Sequence, residues 1–581
     1  MAEPVRYHVD LADRDHHLLR VTTTVPTDLA AGAVLTLSVW TPGSYVRRDY
    51  VRHVQWITAR DAAGVVSTPT PVGETAWALP ADAVGPVEVT FELYANELSV
   101  RTNHVDDHHA LIIPAATFPY VEGGEDRPHV VHLPPQPATH RVWSLLPDEG
   151  EDTYVAEDRD HLIDAAFEVG DLPSVTFDVG EVPHTFVWAG HGGRPPLESI
   201  ATDASAIAEA CIDLFGDGLP TPHYTILAAA WDEGGGGLEH RDGAVLQMPL
   251  RTFGDEELTA RFQSLLAHEY LHLWNVKRLT PAALTRPAYA SPTHSDSLWV
   301  AEGWTAYYDE LVCVRAGVWK PRRLLDTLAS TADAIRATPG VGLQSLRRAG
   351  HEAWTKHYRR DENAPNAMTD YYGHGSLVAF ELDLRLRAAD PRGDGLDTVF
   401  RTLWRRHAGD PAGYTEADVV AAVADVGGAD LAELVEDRVA NPGHPVLDDV
   451  VDVVGLRWAT KDDTPPPNLG VRTAESGGAV TLAAVLRDGP AWRAGLTGGD
   501  RVVALDGEVV AGGHLEALLR TRTAGDAVTV TVTRGPRLIT RTVTLGEPVV
   551  SHTLRPVATP SPDQQAAFAA WAGSPLDEVS G

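Results

Sequence analysis

The spacing of hydrophobic residues divides the chain into regions of different character. In residues 1–175 apolar and polar positions alternate over short runs, such as 34–40 and 87–94, which are rich in Val, Thr and aromatic residues. Turn pairs such as Pro42-Gly43 separate these runs. Alternation with a period of two is typical of strands with one buried face. We therefore expect a β-sandwich-like N-terminal domain.

Residues 176–455 change to a helical spacing, which predicts a mainly helical domain behind a small sheet. The pattern indicates a long amphipathic helix from about Asp255 to Leu279, capped by Asp255 and stopped by Pro281. Other predicted helices cover 197–215, 301–317, 321–337, 374–389 and 415–440.

A proline-rich linker at 464–467 precedes a second region of strand patterns. Residues 456–548 predict a third domain, and residues 549–581 predict a polar C-terminal tail with one short helical run at 562–572. The predicted fold class is therefore multidomain α+β. The predicted strands of the third domain are 479–482, 501–505, 527–532 and 539–543.

Composition narrows the classes of function. The 581 residues exceed what one hydrophobic core usually holds. With 81 Asp and Glu against 47 Lys and Arg, the formal net charge is −34, which disfavours a nucleic-acid partner. We expect no membrane partner and a cytoplasmic location, because neither an apolar run of about 18 residues nor a signal-peptide pattern is visible. The two cysteines, Cys211 and Cys313, indicate no disulfide framework.

Residues 268–272 read His-Glu-Tyr-Leu-His inside the predicted long helix. Residues four apart lie about 40° from one another around a helix, so His268 and His272 can share one tetrahedral cation. Glu269 lies beside them, where it can accept a proton from water. A chance match is the alternative in a chain with 25 histidines, but the helix also carries a separate apolar stripe. The pattern predicts one catalytic Zn²⁺ per chain.

A catalytic zinc needs a third protein ligand and one open position. We predict that the ligand is Glu302, the one carboxylate in the apolar run 298–308. A dication would compensate the cost of an ionised carboxylate in such surroundings. The alternative is that Glu302 caps the first turn of a helix. Asp309 and Glu310 are weaker candidates, more typical of a solvated helix face or of a shell around the ligands.

The pattern H-E-x-x-H followed by E-G-W resembles the gluzincin metallopeptidases. The run 268–278 resembles the glycyl aminopeptidase family in particular, whose members carry a PDZ domain. The resemblance extends to Trp40-Thr41-Pro42-Gly43-Ser44-Tyr45 and covers nearly the whole chain. It implies a thermolysin-like zinc metallopeptidase domain at 176–455 and a PDZ domain at 456–548.

Two further motifs resemble parts of such enzymes. Gly237-Leu238-Glu239-His240 resembles the substrate-binding motif of related aminopeptidases, which implies that Gly237 pairs with peptide backbone and Glu239 binds the free α-amine. The alternative is a flexible turn with an exposed glutamate. Tyr372 falls on the position of the catalytic tyrosine, whose phenol can donate to an oxyanion. The alternative there is a core aromatic pair with Tyr371.

The chain departs from the resemblance at two positions. His374 replaces the usual lysine, so we expect a charge there that depends on pH near neutrality. Ala306 stands where thermolysin-type enzymes place an acid, four residues after the third ligand, to orient a zinc-binding histidine. Another group must therefore orient His268 or His272.

The run Asn468-Leu469-Gly470-Val471 resembles the carboxylate-binding loop of PDZ domains, and 489–507 is a stronger match to them. The resemblance implies that Leu469, Gly470 and Val471 bind the C-terminus of a peptide or protein. The alternatives are a structural module packed on the catalytic domain and a support for oligomers.

Three functions compete. The first is a zinc aminopeptidase that removes N-terminal residues from peptides, possibly Gly or Ala, with Glu269 as the general base. The second is a zinc endopeptidase that recruits protein substrates through its PDZ domain. The third is a non-catalytic peptide-binding scaffold. Glu239 favours the first, since an amine-binding carboxylate blocks extension past the first residue, and the intact set of metal ligands argues against the third.

Overall fold

The computed structural model describes residues 2–190, 195–232, 234–461 and 464–580. Within these ranges no helix combines the length and the apolar character that a bilayer span requires.

The N-terminal region consists mainly of strands, as predicted. In β8 alternate side chains are buried, so the period-two pattern of the sequence corresponds to one packed face. A seven-stranded sheet has the order β14-β12-β1-β2-β8-β4-β5, and two four-stranded sheets have the orders β13-β15-β10-β9 and β11-β3-β7-β6. The elements are β1 (Val5–Asp13), β2 (Leu18–Val25), β3 (Val34–Thr36), β4 (Val54–Arg60), β5 (Val66–Ser67), β6 (Thr70–Pro71), β7 (Ala76–Ala78), β8 (Val87–Tyr94), β9 (His104–Val105), β10 (His109–Ile112), α1 (Pro114–Thr117), β11 (Tyr120–Val121), β12 (His129–His132), β13 (Arg141–Ser144), β14 (Thr153–Ala156), α2 (Arg159–Ile163) and β15 (Phe167–Gly170).

The middle region contains a five-stranded sheet of order β16-β17-β18-β20-β19, followed by helices. Strand β18 is almost wholly buried and pairs in parallel with both neighbours, whereas β19 pairs antiparallel with β20 at one edge. The elements are β16 (Ser174–Val179), β17 (Val182–Gly190), α3 (Leu197–Phe215), β18 (Tyr224–Trp231), β19 (Gly236–His240), β20 (Gly243–Pro249), α4 (Glu256–Leu271), α5 (Leu298–Ala301), α6 (Gly303–Arg315), α7 (Pro321–Arg336), α8 (Leu346–His351), α9 (Ala364–Ala367), α10 (Gly373–Ala389), α11 (Leu396–His407), α12 (Glu416–Gly427) and α13 (Ala429–Ala440).

The C-terminal region contains a six-stranded sheet in which β22, β23, β24, β26 and β27 are neighbours in that order and β25 pairs with β24. The two remaining strands, β21 and β28, pair with one another. The elements are β21 (Leu456–Thr460), β22 (Val471–Ser476), β23 (Ala479–Val485), α14 (Pro490–Arg493), β24 (Arg501–Leu505), β25 (Glu508–Val509), α15 (His514–Leu519), β26 (Ala527–Arg534), β27 (Arg537–Thr544), β28 (His552–Pro556) and α16 (Pro562–Ala572).

Two compact units make up the chain. The first comprises Met1–Ser295, Tyr308–Trp319 and Phe400–Thr415, and it contains the N-terminal sheets, the five-stranded sheet, α3 and α4. The second comprises Asp296–Tyr307, Lys320–Val399 and Glu416–Gly581, and it contains most of the later helices and the C-terminal sheet. The boundaries 175/176, 455/456 and 548/549 drawn from the sequence stay predictions.

The long helix is shorter than its hydrophobic pattern predicts. The Asp255 side chain caps α4 at the backbone N–H of Leu258, as expected, but the helix ends at Leu271 rather than Leu279. Beyond it the N–H of Lys277 bonds to the carbonyl of His272, five residues back, which is wider than an α-helical turn. The apolar spacing continues through residues 272–279 because most of their side chains are buried. The sequence pattern therefore indicated burial in this segment, and not a continuation of the helix.

The segment after residue 548 is folded against the second unit. Strand β28 pairs with β21, and the predicted helical run at 562–572 is α16. The indole N–H of Trp571 donates to the Tyr307 hydroxyl at 2.7 Å, and this hydroxyl donates to a carboxylate oxygen of Asp383 at 2.6 Å. Trp571 is fully buried, so α16 is part of the hydrophobic core of this unit.

Replacing Trp571 by alanine should lower the free energy of unfolding by about 3–5 kcal/mol, because it leaves a cavity and an orphaned hydroxyl. The matched control is Trp492→Ala, whose side chain is 42% exposed, with an expected change within about 0.5 kcal/mol. Chemical denaturation followed by circular dichroism measures both. Equal destabilisation by the two variants would contradict the packing of α16.

Candidate active site

Helix α4 carries the His-Glu-Tyr-Leu-His run in its last turn. The helix buries Phe262 and Leu266, and this fixes the rotation at which His268, Glu269 and His272 leave the helix. The two imidazole rings lie one turn apart, with ring centroids 4.7 Å from each other. The predicted placement of both histidines on one face is therefore what the helix shows.

A hydrogen bond at Nδ1 orients each imidazole. His268 Nδ1 lies 2.8 Å from Oδ2 of Asp309, and His272 Nδ1 lies 2.7 Å from the backbone carbonyl of Asn275. A carbonyl only accepts, so Nδ1 of His272 is the donor, and a carboxylate imposes the same tautomer on His268. The Nε2 atoms then carry the lone pairs with which histidine binds a cation.

Asp309 is the orienting group that the sequence did not identify. It lies seven residues after Glu302, nearly two helical turns, instead of four at Ala306. Of the two interpretations of Asp309, the solvated helix face is wrong because the residue is buried, whereas a position in the shell around the ligands agrees with its contact to His268. The sequence did carry a signal for this role. An acid seven residues after the candidate ligand, nearly two helical turns, lies on the same side of a helix as that ligand.

Glu302 lies between α5 and α6 and is almost wholly shielded from solvent. His268 and His272 belong to the first compact unit, and Glu302 belongs to the second. Two imidazole nitrogens with a carboxylate form the donor set of many catalytic zinc sites. An ionised carboxylate is costly to bury unless cations or hydrogen-bond donors compensate its charge, and the three residue types fit a divalent metal ion by the chemistry of their donor atoms.

The backbones of α6 and α10 approach unusually closely at two glycines. A Cβ atom on Gly303 would lie 2.8 Å from the Cα of Gly375, and one on Gly375 would lie 3.0 Å from the carbonyl of Trp299. Neither distance leaves room for a side chain. This contact explains the Gly of the E-G-W pattern, and it places Glu302 near Tyr372, the residue immediately before α10.

The Tyr372 phenol is held in its neutral form. Burial raises its pKa well above the usual value, and the charge of Glu302 raises it further. The hydroxyls of Tyr372 and Tyr358 lie 3.4 Å apart. A neutral phenol keeps a proton with which to donate a hydrogen bond, as the predicted role requires.

His374 does not behave as expected. It is buried, its Nδ1 lies 2.9 Å from the Thr369 hydroxyl, and burial lowers its pKa to about 3. The expectation of a charge that changes near neutral pH is therefore wrong. The sequence could not show this, because the predicted helix at 374–389 does not indicate that its first turn is buried, as it is in α10.

Strand β19 brings Gly237 and Glu239 next to α4. A Cβ atom on Gly237 would collide with the carboxylate of Glu269, so a larger residue at 237 would displace that carboxylate from its present position. Glu239 is buried, which is contrary to the alternative of an exposed turn residue. Glu239, Glu269 and His272 each offer a ligand-type atom within 4.8 Å of the others. As the edge strand, β19 also leaves one side unpaired within its sheet.

Lys277 supplies a positive charge near Glu239 that the sequence analysis did not assign to the site. Its Nζ lies 2.7 Å from Oδ1 of Asp164 and 4.0 Å from Oε1 of Glu239. Gly43, in the Trp40–Tyr45 run, packs directly on the Glu239 carboxylate. The N-terminal run that carries the sequence resemblance therefore contacts the site.

The three residues of the predicted PDZ loop, Leu469, Gly470 and Val471, lie in different surroundings. Leu469 is part of the hydrophobic core of the C-terminal sheet, and the N–H of Gly470 donates to the Asn468 side chain at 2.7 Å. Val471 begins β22, an edge strand of its sheet. One N–H group of the loop therefore already donates a hydrogen bond within the chain. Binding of a carboxylate by this loop stays a prediction.

Asp309→Asn should weaken zinc binding by about 10–100-fold, since it removes the charge that holds His268 in its binding tautomer. Titration of metal-free protein against a competing zinc chelator measures the affinity. Glu310→Gln, at the next position of the same helix, is the matched control. Equal affinities for the two variants would show that Asp309 does not orient the histidine.

Comparison with known proteins agrees with this architecture. A model described as the peptidase M61 N-terminal domain matches residues 6–171, one described as M61 glycyl aminopeptidase matches 261–378, and a PDZ domain model matches 467–545. The predicted fold class is confirmed: an N-terminal β-rich domain, a mainly helical catalytic domain and a C-terminal PDZ domain.

Solved structures include similar chains, whereas no curated protein matches this one. An aminopeptidase N family protein from Idiomarina loihiensis is 27% identical, with a TM-score of 0.92 over 97% of this chain and 99% of that chain. An M1 zinc metallopeptidase from Deinococcus radiodurans is 15% identical, with a TM-score of 0.46 over 77% of this chain and 95% of that chain. By the family models, the residues around His268 and Glu302 lie in an M61 glycyl aminopeptidase domain, and the chain combines this domain and the M61 N-terminal domain with a PDZ domain near its C-terminus.

Proposed function

We propose that this protein is a zinc-dependent aminopeptidase with one catalytic Zn²⁺ per chain, held by His268, His272 and Glu302. The observation that carries the proposal is the short distance between Glu239 and Glu269, whose carboxylate oxygens lie within 4.8 Å of one another. In a peptide only the α-carbon separates the terminal amine from the first carbonyl. An amine bound at Glu239 therefore presents the first peptide bond beside Glu269.

Glu269 is the general base of the proposed reaction. When bound, the zinc ion supplies Lewis acidity, which lowers the pKa of water and polarises a carbonyl. The Glu269 carboxylate accepts a proton from the attacking water and later passes it to the leaving amine. Its position against Gly237 fixes the carboxylate close to the strand along which the peptide would lie.

Tyr372 and Gly237 complete the proposed site. The neutral phenol of Tyr372 donates a hydrogen bond to the oxyanion that develops on the scissile carbonyl. The unpaired side of β19 offers backbone groups to an extended peptide, and a glycine at 237 lets that peptide approach closely. A preference for N-terminal Gly or Ala is part of the proposal, supported by the family and by the packing of Gly43 on Glu239.

The PDZ domain is proposed to act as a module fixed to the catalytic region. The Asn366 amide donates to the carbonyl of Val485 at 2.8 Å and accepts from the N–H of Arg487 at 2.7 Å. Asn366 is buried, so these two bonds are protected from water. They favour a structural module over a domain that moves freely to recruit protein substrates.

Glu269→Gln should lower kcat by about 10²–10⁴-fold, because the amide cannot accept the proton of the attacking water. Zinc content should stay unchanged, since Glu269 is not one of the proposed ligands. Steady-state hydrolysis of a dipeptide panel and elemental analysis measure the two quantities. Glu257→Gln, on the exposed first turn of α4, is the control, and hydrolysis by Glu269→Gln at the control's rate would exclude Glu269 as the base.

Peptides with a free N-terminus should be cleaved much faster than their N-acetylated versions. Glu239→Gln should lower kcat/KM for the free-amine peptide by about 10–100-fold, since a hydrogen bond to a charged group contributes about 1.5–3 kcal/mol. The same substitution should leave the slow cleavage of the acetylated peptide unchanged, which makes that peptide the internal control. Equal cleavage of both peptides by the wild-type protein would indicate an endopeptidase instead.

A further inference from the structure

A second group of potential metal ligands lies in the N-terminal region, on the hairpin formed by β9 and β10. His104 begins β9, Asp106 lies in the turn and His109 begins β10. One ligand atom from each of the three lies within 4.8 Å of the other two. Both histidines are buried, and within six residues the hairpin thus places two imidazoles and a carboxylate around one point.

The imidazole of His109 is oriented in the same way as that of His268. Its Nδ1 lies 2.8 Å from Oε1 of Glu168, a buried carboxylate on the neighbouring strand β15. A carboxylate at Nδ1 fixes the tautomer in which Nε2 is the basic nitrogen, and such carboxylate–histidine pairs are characteristic of metal sites.

His104 has an unsatisfied nitrogen at the same place. Its Nε2 lies 3.1 Å from Oδ2 of Asp106, whereas its Nδ1 has no hydrogen-bond partner although the residue is only 4% exposed. A buried polar atom without a partner is unusual and costs free energy. A hydrogen bond between these two side chains therefore does not fully account for the arrangement.

Several carboxylates lie around the hairpin and Arg14. Arg14 is the nearby cation, and its Nε donates to the backbone carbonyl of Asp106 at 2.7 Å. Burial lowers the pKa of Arg14, whereas four carboxylates raise it, those of Asp106, Glu168, Asp107 and Asp15. A divalent cation at the hairpin would therefore lie close to carboxylates, which favour its binding.

We infer that this protein binds a second divalent transition-metal ion, Zn²⁺ by the donor set, at His104, Asp106 and His109. Zinc–nitrogen and zinc–oxygen bonds of about 2.0–2.2 Å place neighbouring ligand atoms about 3.3–3.5 Å apart in a tetrahedral site. The present separations, all within 4.8 Å, are close to that arrangement. The ion has a structural role: it closes the hairpin and joins it, through His109 and Glu168, to β15.

The hairpin is close in the chain to the proposed peptide-binding strand. Arg101, three residues before His104, donates from its Nη2 to the carbonyl of Gly237 at 3.2 Å. A metal ion in the hairpin would therefore hold in place the segment that contacts β19. The chemistry of the catalytic centre does not depend on it.

Zinc stoichiometry of the full-length protein tests this inference. After dialysis against zinc and removal of loosely bound metal, elemental analysis should find one more zinc per wild-type chain than per chain of the His104→Ala, His109→Ala double variant. His108→Ala replaces an exposed histidine of the same hairpin and should keep the wild-type content. The double variant should retain aminopeptidase activity and lose thermal stability, and a chelator should no longer lower its melting temperature.

A second measurement does not depend on folding of the hairpin variants. The His268→Ala, His272→Ala variant lacks two proposed catalytic ligands but keeps the hairpin intact. Loaded with Co²⁺, it should bind one equivalent and show the visible absorption of a four-coordinate ion, which His104→Ala added to it should abolish. Absence of this absorption, or equal zinc in the wild-type protein and the double hairpin variant, would overturn the second site.

Discussion

The close packing of α4 against the edge strand β19 is the contact on which the site depends. It brings the Glu269 carboxylate so near Gly237 that a side chain at position 237 would displace it. The proposed base, an imidazole and the proposed amine anchor thereby lie together on one side of the sheet. Because β19 is the edge strand of its sheet, its outer side has no neighbouring strand among the described residues, although Arg101 donates to the Gly237 carbonyl. One packing contact thus sets both the chemistry and the direction in which a peptide can lie.

The same packing buries carboxylates, and their charge has to be compensated. Glu239, Glu269 and Glu302 are all shielded from solvent, where an ionised carboxylate is stable only beside cations or hydrogen-bond donors. Lys277 lies near Glu239, and the proposed metal ion would compensate the charge of Glu302. The ammonium group of a substrate would bring a further positive charge close to Glu239. The electrostatics of the site therefore favour cationic ligands at two neighbouring positions.

The C-terminal third of the chain contributes to stability. Trp571 reaches the Tyr307 hydroxyl, which bonds in turn to Asp383, and Asp383 forms a buried ion pair with Arg387 at 3.0 Å. Asn366 bonds to the PDZ backbone at two points. Buried polar contacts of this kind are specific in geometry, because a misplaced partner leaves an unsatisfied group. They hold the PDZ domain and the last helix in fixed positions relative to α9 and α10.

Local spacing in the sequence determined the elements and the candidate ligands. Period-two runs, the i to i+4 histidines and the glycine before Glu239 all report properties of adjacent residues, and these can be read without the fold. Asp309 as the partner of His268, the neutral state of His374 and the end of α4 at Leu271 were decided by tertiary structure. Each depends on burial or on a partner distant in the chain. Hydrophobic periodicity shows which face of a helix or strand is buried. Only the packed fold shows which polar group from elsewhere in the chain contacts a residue on that face.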